Sequence, residues 1–213
     1  MNYKALKNRI THRFRLVACT TTLAVGLMVS LPQLAHAQNI TPPPLPPGLQ
    51  PVPAGNEVFL VGHAIGFQNY VCQPVGAGFK FVLFTPQATL FKDNDKQIIT
   101  HFFSPNPDEG GVIRATWEDS KDTSAIWAKV HSPNGAATPD PNSIDWLLLD
   151  VVGTDNGPQG RGALADTTFV QRLSTVGGLA PAAGCLSLTD VGTHEFVPYT
   201  ADYFFYRKQH GNN

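Results

Sequence analysis

The residues with the most chemical capacity in this chain lie inside apolar runs. His101 sits within Ile98-Ile99-Thr100-His101-Phe102-Phe103, so its imidazole is expected to be at least half buried. A buried imidazole needs a partner, and it serves either as a satisfied core group or as part of a binding or acid–base site. Arg172 sits within Thr168-Phe169-Val170-Gln171-Arg172-Leu173, where a guanidinium needs a carboxylate or several carbonyl acceptors. Asp202 is the carboxylate the sequence offers. Paired with it, Arg172 would pin the C-terminal strand; unpaired, it would anchor an anionic ligand. Gln68 and Tyr70 share one strand face with Cys72. If Cys72 is in the core, both point inward and must hydrogen-bond to each other or to something bound. Trp117 adds a large flat face. Gln68, Tyr70, His101, Trp117 and Arg172 are therefore the candidate lining of a ligand site for a small molecule or a glycan.

Other chemistries find less footing. A hydrolase or lyase would use His101 as acid–base with a carboxylate such as Asp119 or Asp202 within reach of the same substrate atom. Metal sites on strands favour His-x-His, which puts both rings on one face. His63, His101, His131, His194 and His210 contain no such pair, so no metal and no cofactor are expected. Gly157, Gly160 and Gly162 have the wrong spacing for a dinucleotide fingerprint, and Pro158 interrupts them. Neither a P-loop nor a G-x-S-x-G elbow occurs. Whether the protein is an enzyme stays open at this level.

The elements that must position these residues read as strands. Short apolar runs broken by Gly, Pro, Asn and Asp fall at 57–62, 66–73, 79–84, 88–91, 97–103, 112–118, 124–131, 144–152, 167–175 and 202–207. Several alternate with period two. Ile113, Ala115 and Trp117 oppose Val112, Arg114, Thr116 and Glu118; Ile126, Ala128 and Val130 oppose Ala125, Trp127, Lys129 and His131. The stretch 142–152 is ambiguous, because Asn142 or Ser143 could cap a short helix. About ten short strands with turn residues between them predict an all-β antiparallel sandwich or barrel-like fold.

The chain has 213 residues, 15 Lys+Arg and 16 Asp+Glu. Residues 1–15 are basic, 16–31 are apolar and uncharged, Pro32 breaks the run, and Ala35-His36-Ala37 has the small-x-small pattern of a processing site. This predicts a signal peptide over 1–37, cleaved after Ala37, and hence a secreted protein, periplasmic or extracellular. The apolar run falls short of the roughly 20 residues of a spanning helix, and no transmembrane segment is expected after cleavage. Beyond Ala37 the chain carries 10 Lys+Arg against 16 Asp+Glu, which argues against a nucleic-acid partner. Cys72 and Cys185 are the two cysteines left, and in an exported chain they predict one disulfide. Residues 38–56 hold a proline-rich stretch expected to be a stiff spacer, 57–207 a single β domain, and 208–213 a tail.

Several phrases in the β region also form a recognisable set. They are Gly66-x-Gln68-x-Tyr70-x-Cys72, Pro86-Gln87-Ala88-Thr89-Leu90-Phe91, His101 followed at a distance by Trp117, Ile144-x-Trp146-Leu147-Leu148-Leu149, Gln171-Arg172-Leu173-x-Thr175-x-Gly177-Gly178-x-Ala180-Pro181, Gly184-Cys185, and Pro198-Tyr199-Thr200-Ala201-Asp202-Tyr203-x-Phe205-Tyr206. In this order they resemble the exported bacterial and fungal proteins grouped as domain of unknown function 3455. The resemblance covers roughly 57–207 and implies a secreted, mostly β domain without an established biochemistry. The chain departs from that pattern between His101 and Trp117, where Asp108-Glu109-Gly110-Gly111 forms an insertion-like turn. A small-molecule or glycan binder, a hydrolase or lyase, and a structural or surface-interaction protein without a pocket are the three readings carried forward.

Overall fold

The structure is a computed structural model that describes residues 40–209. The expected signal peptide, its cleavage site and the end of the tail lie outside the described residues. Nine strands follow one another: β1 (Asn56–Val75), β2 (Gly78–Phe91), β3 (Gln97–Asn106), β4 (Val112–Asp119), β5 (Ala125–Val130), β6 (Ala136–Ala137), β7 (Trp146–Asp155), β8 (Thr167–Gly177) and β9 (His194–Lys208). Only two single-turn 3-10 segments, at Pro107–Glu109 and Leu188–Asp190, interrupt them among the described residues. No described helix is long and apolar enough to cross a membrane.

Each barrel strand pairs antiparallel with its neighbours, in the order β5-β4-β3-β2-β1-β9-β8-β7. Pairing of β5 with β7 closes the sheet into an eight-stranded barrel, while the two-residue β6 adds to the outside of β7. The barrel alternative is thus the one realised. Closure removes the unpaired edges that a sandwich would leave.

The ten expected strands become eight because two pairs merge. The runs 57–62 and 66–73 are both part of β1, and 79–84 and 88–91 are both part of β2. Gly66 and Pro86 look like breaks in sequence and are not. A Cβ at position 66 would overlap the Gln87 carbonyl and Ala88, so the close approach of β1 and β2 requires glycine there. Pro86 lacks an N–H, but β2 bonds to β3 only from Ala88 onward, so at Pro86 no ladder partner on that side is lost. The ambiguous stretch resolves as a turn followed by a strand. Asp140 accepts from the Asn142 and Ser143 region, and β7 begins at Trp146.

Period-two alternation gives the barrel an inner and an outer face. Ala64, Ala88, Leu90, Ile99, Trp117, Ile126, Ala128, Leu149, Val170, Tyr203 and Phe205 form the inner core. One end is plugged by the glycine-containing loop after β7, whose Leu164 is fully buried in this core. The outer face of β7, β8 and β9 carries Leu148, Leu173, Phe204 and Tyr206, and Ile40, Leu45, Leu49 and Val52 pack on it. This part of the proline-rich stretch is therefore a packed arm. Cys72 and Cys185 are bonded, and they tie the long β8–β9 connection to the projecting end of the β1–β2 hairpin against Phe79, Phe81 and Val197.

Candidate functional site

At the end of the barrel opposite Leu164, the inner side chains leave a cavity of about 300 Å³. This lies at the small end of the range for ligand pockets, and an eight-stranded barrel is just wide enough for one small ligand. Leu83, Pro86, Phe103, Ile113, Val130, Leu147 and Leu149 make its apolar wall. Leu83, Ile113 and Val130 are well exposed and form an apolar rim. No Asp or Glu lines the cavity, whereas Arg114, Lys129 and Arg172 do.

Four of the five sequence candidates meet here, from four strands: Gln68 from β1, His101 from β3, Trp117 from β4 and Arg172 from β8. Tyr70 is adjacent rather than lining. Its hydroxyl donates to the Gly178 carbonyl at 2.6 Å, which holds the β8–β9 connection over β1. Gly178 has φ +82°, and a Cβ would crowd Tyr199 and Gln68, so this fastening needs glycine. Burial raises the Tyr70 phenol above its ordinary value, and the Arg172 charge opposes that rise.

His101 is 4% exposed and its ring stacks on Trp117, centroids 4.3 Å apart. Its Nδ1 donates to the Thr116 carbonyl at 2.8 Å. A carbonyl can only accept, so this bond fixes the proton on Nδ1 and leaves Nε2 as an acceptor. Burial drives the imidazole down to about 3, the Thr116 bond resists, and Arg172 adds to the depression. At neutral pH the ring is uncharged. Asp119 and Asp202, the carboxylates expected beside it, are committed elsewhere. Asp119 accepts from the Lys121 and Asp122 backbone in a turn, and Asp202 binds His63 on the outer face. At neutral pH His101 is thus a weak base with a free Nε2 acceptor, and neither Asp119 nor Asp202 stands beside it.

The expected Arg172–Asp202 pair is likewise corrected. Arg172 is in register with Tyr203 and faces inward; Asp202, one residue earlier, faces outward. Arg172 instead donates from Nε and Nη2 to the Asp145 carbonyl, at 3.0 and 2.9 Å. No Asp or Glu among the described residues lies within ion-pair distance of it.

Three buried donors among the described residues lack a well-formed hydrogen bond: Gln171 Nε2 on the outer face, and Gln68 Nε2, which lies toward the Tyr199 hydroxyl, and Trp117 Nε1 on the inner wall. Gln68 is 2% and Trp117 1% exposed. Leaving such a donor unpaired costs about 1–3 kcal/mol, so a barrel wall holding two of them calls for an explanation.

Besides the apolar wall, three polar lining residues were not among the sequence candidates. Tyr203, beside Arg172 and Trp117, was legible in the alternation of Ala201, Tyr203 and Phe205. Arg114 and Lys129 sit at the mouth, and strand periodicity assigned both to the opposite face. Arg114 is held by two bonds to Glu109, at 2.6 and 2.7 Å, and this contact pulls the Glu109 carboxyl down to about 2. Glu109 belongs to the insertion-like turn, so that departure from the family pattern shapes the mouth.

A closed antiparallel β-barrel with an acid-free cavity at one mouth is the class that this fold and site define. The chain belongs to the family described as protein of unknown function (DUF3455), whose model matches residues 53–207. No curated protein and no solved structure matches it.

Proposed function

We propose that this is a binding protein whose barrel mouth takes a small, mostly apolar molecule bearing a hydrogen-bond-accepting head. The observation that carries this reading is the pair of buried donors without a well-formed hydrogen bond, Gln68 Nε2 and Trp117 Nε1, on the wall of one cavity that also holds an arginine without a carboxylate. Apolar side chains make up most of the wall, which favours an apolar body over a glycan. The disulfide and the proposed signal peptide fit a role outside the cytosol, where a thiol pair stays oxidised.

Thermal unfolding against apolar organic compounds, sugars and metal salts tests the reading. A ligand at a hundredfold excess over its Kd stabilises by about 2.7 kcal/mol. Stabilisers are expected among the apolar compounds, and A115F, which fills the throat, should abolish their effect. A flat response to the whole panel would favour the pocketless, surface-interaction reading.

A further inference from the structure

We infer that the molecule held here is an organic monocarboxylate, its head on the free fork of Arg172 and its apolar body along the throat; this rests on the cavity being a ligand site. Arg172 uses one Nε–H and one Nη2–H on a single acceptor, the Asp145 carbonyl. A guanidinium has five N–H donors in a rigid plane; one more lies toward the Tyr203 hydroxyl, which leaves two terminal N–H groups for a ligand. That pair can bond both oxygens of one carboxylate side by side.

The Asp145 carbonyl fixes the guanidinium in place but brings no formal charge. A half-buried cation without a counter-charge is costly, and a bound anion would supply that charge. The surroundings register the field. Arg172 opposes the burial-driven rise of Tyr70, Tyr199 and Tyr203 and deepens the depression of His101. The charge count favours one negative unit. His101 is neutral, Arg114 is already paired with Glu109, and Lys129 stands at the exposed rim, where water screens it. Leu147 and Leu149, with Phe103 and Pro86, then offer an apolar throat to the rest of the molecule.

Calorimetric titration of the full chain with octanoate, 1-octanol and octylamine tests this. Octanoate should bind roughly ten- to a hundredfold tighter than octanol, the worth of charge-assisted bonds to a partly buried head. R172Q should bring octanoate down to near the octanol level, with a much larger loss for octanoate than for octanol. R172K keeps the charge without the fork and should recover part of the difference; it also carries the test if R172Q does not fold by circular dichroism. Equal affinity for octanoate and octanol, or preference for octylamine, would overturn the inference while the cavity reading stands. Failure of all three to bind overturns both.

Discussion

Two histidines on one barrel wall, on β1 and β3 with β2 between them, show how far apart the same side chain can be driven. His101, on the inner face of β3, is sealed between Trp117 and Tyr203 and is kept neutral by burial. His63, on the outer face of β1, is partly exposed and held between Asp202 at 2.7 Å and Asp93 at 2.8 Å. Burial works against its charge, but the hydrogen bonds and charges of Asp202 and Asp93 prevail, and its imidazole is raised above the ordinary value. The inner face excludes acids and depresses protonation; the outer face supplies acids and favours it. A single residue step along a strand changes which regime a side chain enters.

The sharpest way to break this contrast is to compare truncations on the two faces. W117A removes a fully buried inner side chain and should cost about 3–5 kcal/mol in urea unfolding. F196S removes an outer side chain that is 61% exposed and should change stability by no more than about 0.5 kcal/mol. Similar losses would mean that the outer patch of Ile65, Phe67, Phe84 and Phe196 behaves as core. A middle case is Leu49, in the proline-rich arm. Buried over Leu148 and Leu173, it should lose about 2–3 kcal/mol as L49A, whereas a free spacer would lose nothing measurable.

The histidines predict pH slopes of opposite sign. An unfolded histidine titrates near 6.5, while folded His101 titrates near 3, so the unfolded chain binds the extra proton first. Stability tied to His101 is therefore present above about pH 6.5 and falls as pH drops from there toward about 3. H101Q, which keeps an N–H donor for Thr116, should flatten that limb between those limits in denaturant titrations at stepped pH. The smallest effect belongs to His63. Its raised value makes its contribution full below about pH 6.5 and lost as pH climbs through the folded value, and exposure to solvent weakens it. H63N should remove this alkaline decline alone. An unchanged slope in either variant would show that the face of the wall does not set the titration.

The candidate site was legible in its members and opaque in its pairings. Gln68, His101, Trp117 and Arg172 stand out as polar groups in apolar alternation, and inner-face parity is local, so one sequence suffices to find them. Their partners were misread because partnership depends on register. Strict alternation from Tyr203 already places Asp202 on the other face, away from Arg172, but the Asp145 carbonyl that replaces it comes from a loop 27 residues upstream of Arg172. Backbone carbonyls carry no side-chain signal, so no reading of residue types points to that contact. The arm was opaque for a related reason. Seven prolines within residues 41–53 exclude helix and ladder, but composition does not say that Leu45, Leu49 and Val52 have an apolar wall to cover.

By itself the sequence determined the all-β class, the strand periodicity, the Cys72–Cys185 bridge and the family, because each follows from local alternation, cysteine arithmetic or ordered phrases. Closure of the sheet by β5 and β7, the continuity of β1 through Gly66 and of β2 through Pro86, and the convergence of four strands on one cavity were decided only by tertiary structure. Hydrogen bonds between strands join residues far apart in the chain, and no local pattern encodes which of them will meet.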